Sequence, residues 1–64
     1  MTPEQFTDWR ETMALRKNQT AALLGVTPRT ITNYEKGINP VPRAIDLACM
    51  AFASGLKGWS EYQR

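Results

Sequence analysis

The 64 residues make one small domain with 42% hydrophobic residues, a formal net charge of +2, one cysteine and no histidine. That composition excludes the usual zinc ligand sets and any Ser-His or Cys-His nucleophile pair. No apolar run approaches the roughly 20 residues of a membrane span, and the N-terminus lacks the plan of a signal peptide. A single cysteine, Cys49, suits a reducing compartment, so a cytoplasmic protein is expected.

The carboxylates are Glu4, Asp8, Glu11, Glu35, Asp46 and Glu61. Glu4, Asp8 and Glu11 share one helix face without a partner for acid–base chemistry. No catalytic residue, cofactor, metal or small-molecule ligand is expected, and the chain is not read as an enzyme.

In chain order, helix 1 starts at Thr2, which can cap it. Pro3 suits the first helical position, and Gln5 stands at capping-box spacing. Phe6, Trp9, Arg10 and Met13 follow at i, i+3, i+4 and i+7, one face with Arg10 its only polar member. Helix 2 is expected over about 17–24, with Ala21 and Leu24 inward. Gly25 then supplies a left-handed turn residue. Thr27 caps helix 3 and Pro28 opens it. This helix runs over about 28–36 with Ile31 and Tyr34 inward, and Gly37 ends it. Arg29, Thr30, Thr32, Asn33 and Lys36 are left facing outward.

The prolines of Ile38-Asn39-Pro40-Val41-Pro42 predict an extended loop. Helix 4 is expected over about 42–53. A tail at 56–64 carries Trp59, with a short turn of helix there. Residues 1–55 form the domain proper.

Charge is uneven along the chain. Residues 1–15 hold three carboxylates against Arg10, a balance of −2. Residues 16–43 hold Arg16, Lys17, Arg29, Lys36 and Arg43 against Glu35, a balance of +4, and the remainder is neutral. The basic excess thus coincides with two short helices joined at Gly25. That pattern is a helix-turn-helix, whose second helix can enter the major groove of DNA.

The spaced residues Leu15, Ala21, Gly25-Val26, Thr27, Ile31-Thr32, Tyr34-Glu35 and Gly37 carry a resemblance. Over about residues 6–52 the chain resembles the helix-turn-helix regulators of the phage repressor and Cro type, the XRE-like domains. The resemblance implies an all-α bundle of four or five helices of the lambda-repressor-like type. It implies base contacts from Pro28, Arg29, Thr30, Thr32 and Asn33, and phosphate contacts from Lys17, Lys36, Asn39 and Arg43. It also implies an ion pair between Arg10 and Glu35. The chain departs from the family pattern in three places. Arg16-Lys17 replace a Ser or Thr followed by Gln, so Asn18 can compete for the helix 2 cap. Thr20 replaces a leucine and thins the core. Pro28 removes a polar side chain from the first base-facing position.

The chemistry of these residues suits the assignment. A guanidinium such as that of Arg29 can grip guanine O6 and N7, and the Asn33 amide can pair with adenine N6 and N7. A threonine methyl can meet a thymine methyl. Thr30 can equally be a plain helix-start residue. Arg10 sits on an apolar face and needs an anion, and Glu35 is the single acid of the basic segment.

Helix 4 is apolar nearly all round. Ile45, Ala48, Cys49 and Phe52 make one face, and Leu47, Met50 and Ala51 another. A second copy of the chain is expected to cover the outer face, with Trp59 and Tyr62 adding to the contact, or the tail folds over it. Cys49 is read as a small core residue.

The combined expectation is a homodimeric, sequence-specific transcriptional repressor on double-stranded DNA. It would occlude a promoter at an inverted-repeat operator. An activator, an antitoxin or accessory component, and a protein-interaction module on the same fold are the alternatives.

Overall fold

Two of the helices start where a threonine side chain supplies an acceptor for orphan backbone N–H groups. The computed structural model describes residues 1–56 and 58–61, with Glu61 described in its backbone alone. Among the described residues there are four α-helices, α1 (Pro3–Thr12), α2 (Lys17–Leu24), α3 (Pro28–Glu35) and α4 (Arg43–Ala53). A 3-10 turn follows at Trp59–Glu61, and no strand is present among these residues. The protein is an all-α bundle.

At α1 the Thr2 hydroxyl accepts from the Gln5 N–H at 3.1 Å, and the Gln5 side chain accepts from the Thr2 N–H at 2.8 Å. At α3 the Thr27 hydroxyl accepts from the Thr30 N–H at 3.2 Å. The N-cap of α2 is Arg16, whose side chain has no acceptor to offer. Half of a capping box remains, because Gln19 Oε1 accepts from the Arg16 N–H at 2.9 Å. Asn18 does not take the cap, and α2 keeps its full first turn. The last helix begins at Arg43 with Pro42 as its N-cap, one residue later than the sequence suggests.

The helix ends share one device. Gly25, Gly37 and Gly55 have φ of 72°, 73° and 76°, the left-handed region that glycine enters without steric cost. The residue after each returns its N–H to a carbonyl five positions back: Val26 to Ala21, Ile38 to Asn33 and Leu56 to Ala51. The end of α1 uses the same hydrogen bonds, Leu15 N–H to Arg10 and Ala14 N–H to Glu11, but the residue at φ 56° is Ala14. A side chain there costs about 1–2 kcal/mol. Ala14 is exposed, so Ala14→Gly relieves the strain without opening a cavity. Thermal unfolding followed by circular dichroism should show a gain of about 1 kcal/mol, after the entropic cost of glycine is subtracted.

The core is built from one or two residues per helix: Phe6 of α1, Ala21 of α2, Ile31 and Tyr34 of α3, and Cys49 of α4. Met1, Trp9, Leu24, Val26, Val41 and Ile45 pack around them. Phe6 stands edge-on to Tyr34, ring centroids 5.4 Å apart, and lies 5.8 Å from the Trp9 ring. Thr20 is fully buried, with no leucine to thicken the core. Its hydroxyl donates to the Arg16 carbonyl at 2.9 Å, which makes a buried polar group acceptable there. Trp9 Nε1 donates to the Cys49 carbonyl at 2.9 Å and ties α1 to α4. The Met1 ammonium lies 3.3 Å from Asp46, a second tie to α4.

Cys49 is a buried core residue. Burial, and to a lesser degree the charge of Asp46, pushes its thiol up to about 11. At neutral pH it stays protonated, a poor nucleophile.

Candidate nucleic-acid interface

The recognition surface starts from the helical wheel of α3. With about 100° per residue, burying Ile31 and Tyr34 turns Arg29 and Lys36 to the opposite side. Both are exposed, and among the described residues neither makes an ion pair. Thr32 and Asn33 flank that outer line and are half-buried. Arg29 and Asn33 stand at i, i+4 on one face, so their side chains are neighbours. Pro28 is exposed at the first turn.

Thr30 differs from the expectation that it faces outward. It is half-buried, and its hydroxyl lies 2.9 Å from that of Thr27 in the helix cap. The wheel puts it at the margin beside Tyr34, because 3.6-residue periodicity carries position 30 back toward the buried side.

Around α3 the cations form a border. Lys36 is its C-cap, and Asn39 and Arg43 follow, both exposed, on the loop and at the start of α4. Lys17, at the start of α2, is held more closely than the sequence suggests. Its Nζ lies 3.5 Å from Thr32 Oγ1 and 3.8 Å from Glu35 Oε1. Arg16 is exposed beside it and adds a cation that the sequence reading did not assign. Its position as the residue preceding the helix is the signal that was available.

Arg10 and Glu35 meet across α1 and α3. Arg10 Nε donates to Glu35 Oε2 at 2.5 Å and Nη2 to Oε1 at 3.4 Å, and Nη1 donates to the Leu15 carbonyl at 3.0 Å. Their side chains are 17% and 11% exposed. The pair fixes the end of α3 against α1. Gly37 sits in the same corner, where an added Cβ would come 3.3 Å from Pro3 Cγ.

Opposite charge lies elsewhere. Glu4, Asp8 and Glu11 are exposed on α1 and, with Pro3, Thr7 and Glu35, line a shallow cleft. The molecule is therefore polarised, acidic along α1 and basic from Arg16 to Arg43.

The outer face of α4 is apolar and open. Leu47 is 54% exposed and Met50 67%, whereas Ala51 is half-buried. Trp59 is 87% exposed. Tyr62, placed with it in the sequence reading, lies outside the described residues. No described helix is long and apolar enough to cross a membrane.

No family model matches the sequence, and no curated protein matches it. The fold is similar to the crystal structure of a protein from Nitrosomonas europaea inferred to bind DNA, with a TM-score of 0.83 and 26% sequence identity. The match covers 100% of this chain and 41% of that one. The chain thus spans about two fifths of the length of that protein and has the same helical fold throughout.

Proposed function

We propose that this chain is a sequence-specific DNA-binding transcriptional regulator of the XRE and Cro-like kind, working as a homodimeric repressor in the cytoplasm. The observation that carries the reading is the two-sided character of α3. Ile31 and Tyr34 anchor it, while Arg29, Thr32 and Asn33 look outward within a border of cations. The similar Nitrosomonas europaea structure, inferred to bind DNA, supports the same reading.

In this reading Arg29 and Asn33 read bases, Thr32 meets a methyl or a phosphate, and Pro28 and Thr30 line the margin. Lys17, Lys36, Asn39 and Arg43 set the register on phosphates. The acidic α1 turns away from the duplex and orients the approach. The chain binds and does not catalyse. It needs no cofactor, metal or small molecule.

A second copy covers Leu47, Met50 and Ala51 of α4, with Trp59 and Tyr62 at its edge. Two copies of α3 then enter successive major grooves about 34 Å apart on an inverted repeat. Occupying such an operator over a promoter blocks transcription.

Selection from a random duplex pool tests the reading. An inverted repeat with half-sites about one helical turn apart is expected. Recovery of no motif, with weak binding that collapses on added salt, would reduce it to general electrostatics. Dimerisation has its own test in sedimentation velocity. Met50→Glu buries a charge in the contact and should shift the native dimer to monomer at the same concentration. A native chain that stays monomeric with and without DNA would remove the dimer.

A further inference from the structure

Three helices meet at one carboxylate. Glu35 closes α3, Arg10 reaches it from α1 and Lys17 from α2. Two cations share one anion, so the cluster carries a net charge of +1.

The two cations do not share it equally. Arg10 touches both carboxylate oxygens, at 2.5 and 3.4 Å, and is further fixed by the Leu15 carbonyl at 3.0 Å. Lys17 stands at 3.8 Å from Glu35 and 3.5 Å from the Thr32 hydroxyl, and its side chain is 46% exposed. A planar guanidinium in such a fork satisfies a carboxylate better than a point charge on a flexible stem does. Arg10 takes the larger share of the Glu35 charge, and Lys17 keeps a long ion pair with its side chain nearly half exposed.

We propose that Arg10 is a positioning residue for nucleic-acid binding. By taking the short contacts to Glu35, it leaves the Lys17 ammonium held only at long range and so able to turn to a backbone phosphate. Without Arg10, the shielded Glu35 carboxylate is uncompensated, and the nearest cation that can move to it is Lys17. Lys17 then leaves the phosphate. The inference rests on the reading that Lys17 meets a phosphate of bound DNA, and it adds that a residue away from the duplex controls that contact.

The test is a double-mutant cycle read by salt dependence on a duplex recovered from the random pool. Each phosphate neutralised contributes about 0.9 to the slope of log affinity against log salt. Lys17→Ala should lower the slope by about 0.9 in the native chain. Arg10→Met should lower it by the same amount, and adding Lys17→Ala to Arg10→Met should change it no further. If Lys17→Ala lowers the slope equally in both backgrounds, Arg10 has no hold on Lys17 and the proposal fails. If Lys17→Ala leaves the native slope unchanged, the phosphate reading of Lys17 fails first and takes the proposal with it. Circular dichroism establishes that each variant is folded. If Arg10→Met does not fold, Glu35→Gln carries the test. An unchanged slope supports the proposal. A slope raised by about 0.9 overturns it, because the carboxylate would then have been holding Lys17 in the native chain.

Discussion

Phe6→Ala should leave the chain largely unfolded at ambient temperature. Phe6 is fully buried and touches the rings of both Trp9 and Tyr34, so it joins α1 to α3 at the centre of the core. Truncating a buried phenylalanine costs about 3–5 kcal/mol through lost transfer energy and the cavity left behind. A domain of this length has roughly 3–10 kcal/mol of total stability. Among the described residues the core has five buried apolar residues, so little is at hand to close over the gap. Thermal unfolding by circular dichroism should place the midpoint at least 12 °C lower, at about 4 °C or more per kcal/mol. Phe6→Leu keeps most of the volume and should cost about half as much or less. Two protein concentrations should be compared, because the proposed dimer would couple association to stability. A Phe6→Ala midpoint within a few degrees of the native one would mean that the core is centred elsewhere.

The second large effect concerns specificity. Arg29→Ala should relax one base-pair position of the selected site, with a loss of about 1–3 kcal/mol of discrimination there. Arg29 is exposed on the side of α3 opposite Ile31 and Tyr34, and among the described residues nothing in the chain competes for its guanidinium. Repeating the selection with the variant reads this directly. Base readout predicts that the preference disappears at one position per half-site and persists elsewhere. If affinity falls uniformly over all sequences and the salt slope drops by about 0.9, Arg29 is a phosphate clamp instead.

In the proposed function, fold stability and readout meet in the same short helix. Burial of Ile31 and Tyr34 sets the rotation of α3, and that rotation decides which side chains point away from the protein. Any change that turns the helix redirects Arg29 and Asn33 together.

Much of this arrangement was legible in the chain. Thr2-Pro3 and Thr27-Pro28 mark two helix starts by the same local chemistry, and Gly25 and Gly37 mark two ends. These signals act within four or five residues, which is the range over which capping and left-handed turns are determined. The inward pairs Ile31 and Tyr34, and Phe6 with Trp9, follow from 3.6-residue periodicity alone. The face of Ile45, Ala48, Cys49 and Phe52 follows in the same way, and Cys49 is indeed buried while Leu47 and Met50 are open.

Other features had no local signal. Ala14 occupies a left-handed position although its sequence context names no turn residue. It does so because the Leu15 and Ala14 N–H groups find carbonyls of α1 there, and packing of the next helix requires the chain to reverse at that point. The indole bond of Trp9 to the Cys49 carbonyl joins residues forty positions apart, and no periodicity connects them. Thr30 looked like an outward residue until the cap claimed its hydroxyl.

The sequence by itself determined the start of α1 and the boundaries of α2, α3 and α4 to within about one residue, the apolar faces and the concentration of positive charge between Arg16 and Arg43. Those depend on hydrogen bonds and side-chain spacing over one or two turns. Only the tertiary structure decided how three helices share Glu35, that Thr20 can be buried whole, and that Lys17 leans back toward the protein. Those outcomes depend on distances between elements, which packing sets and local spacing does not encode.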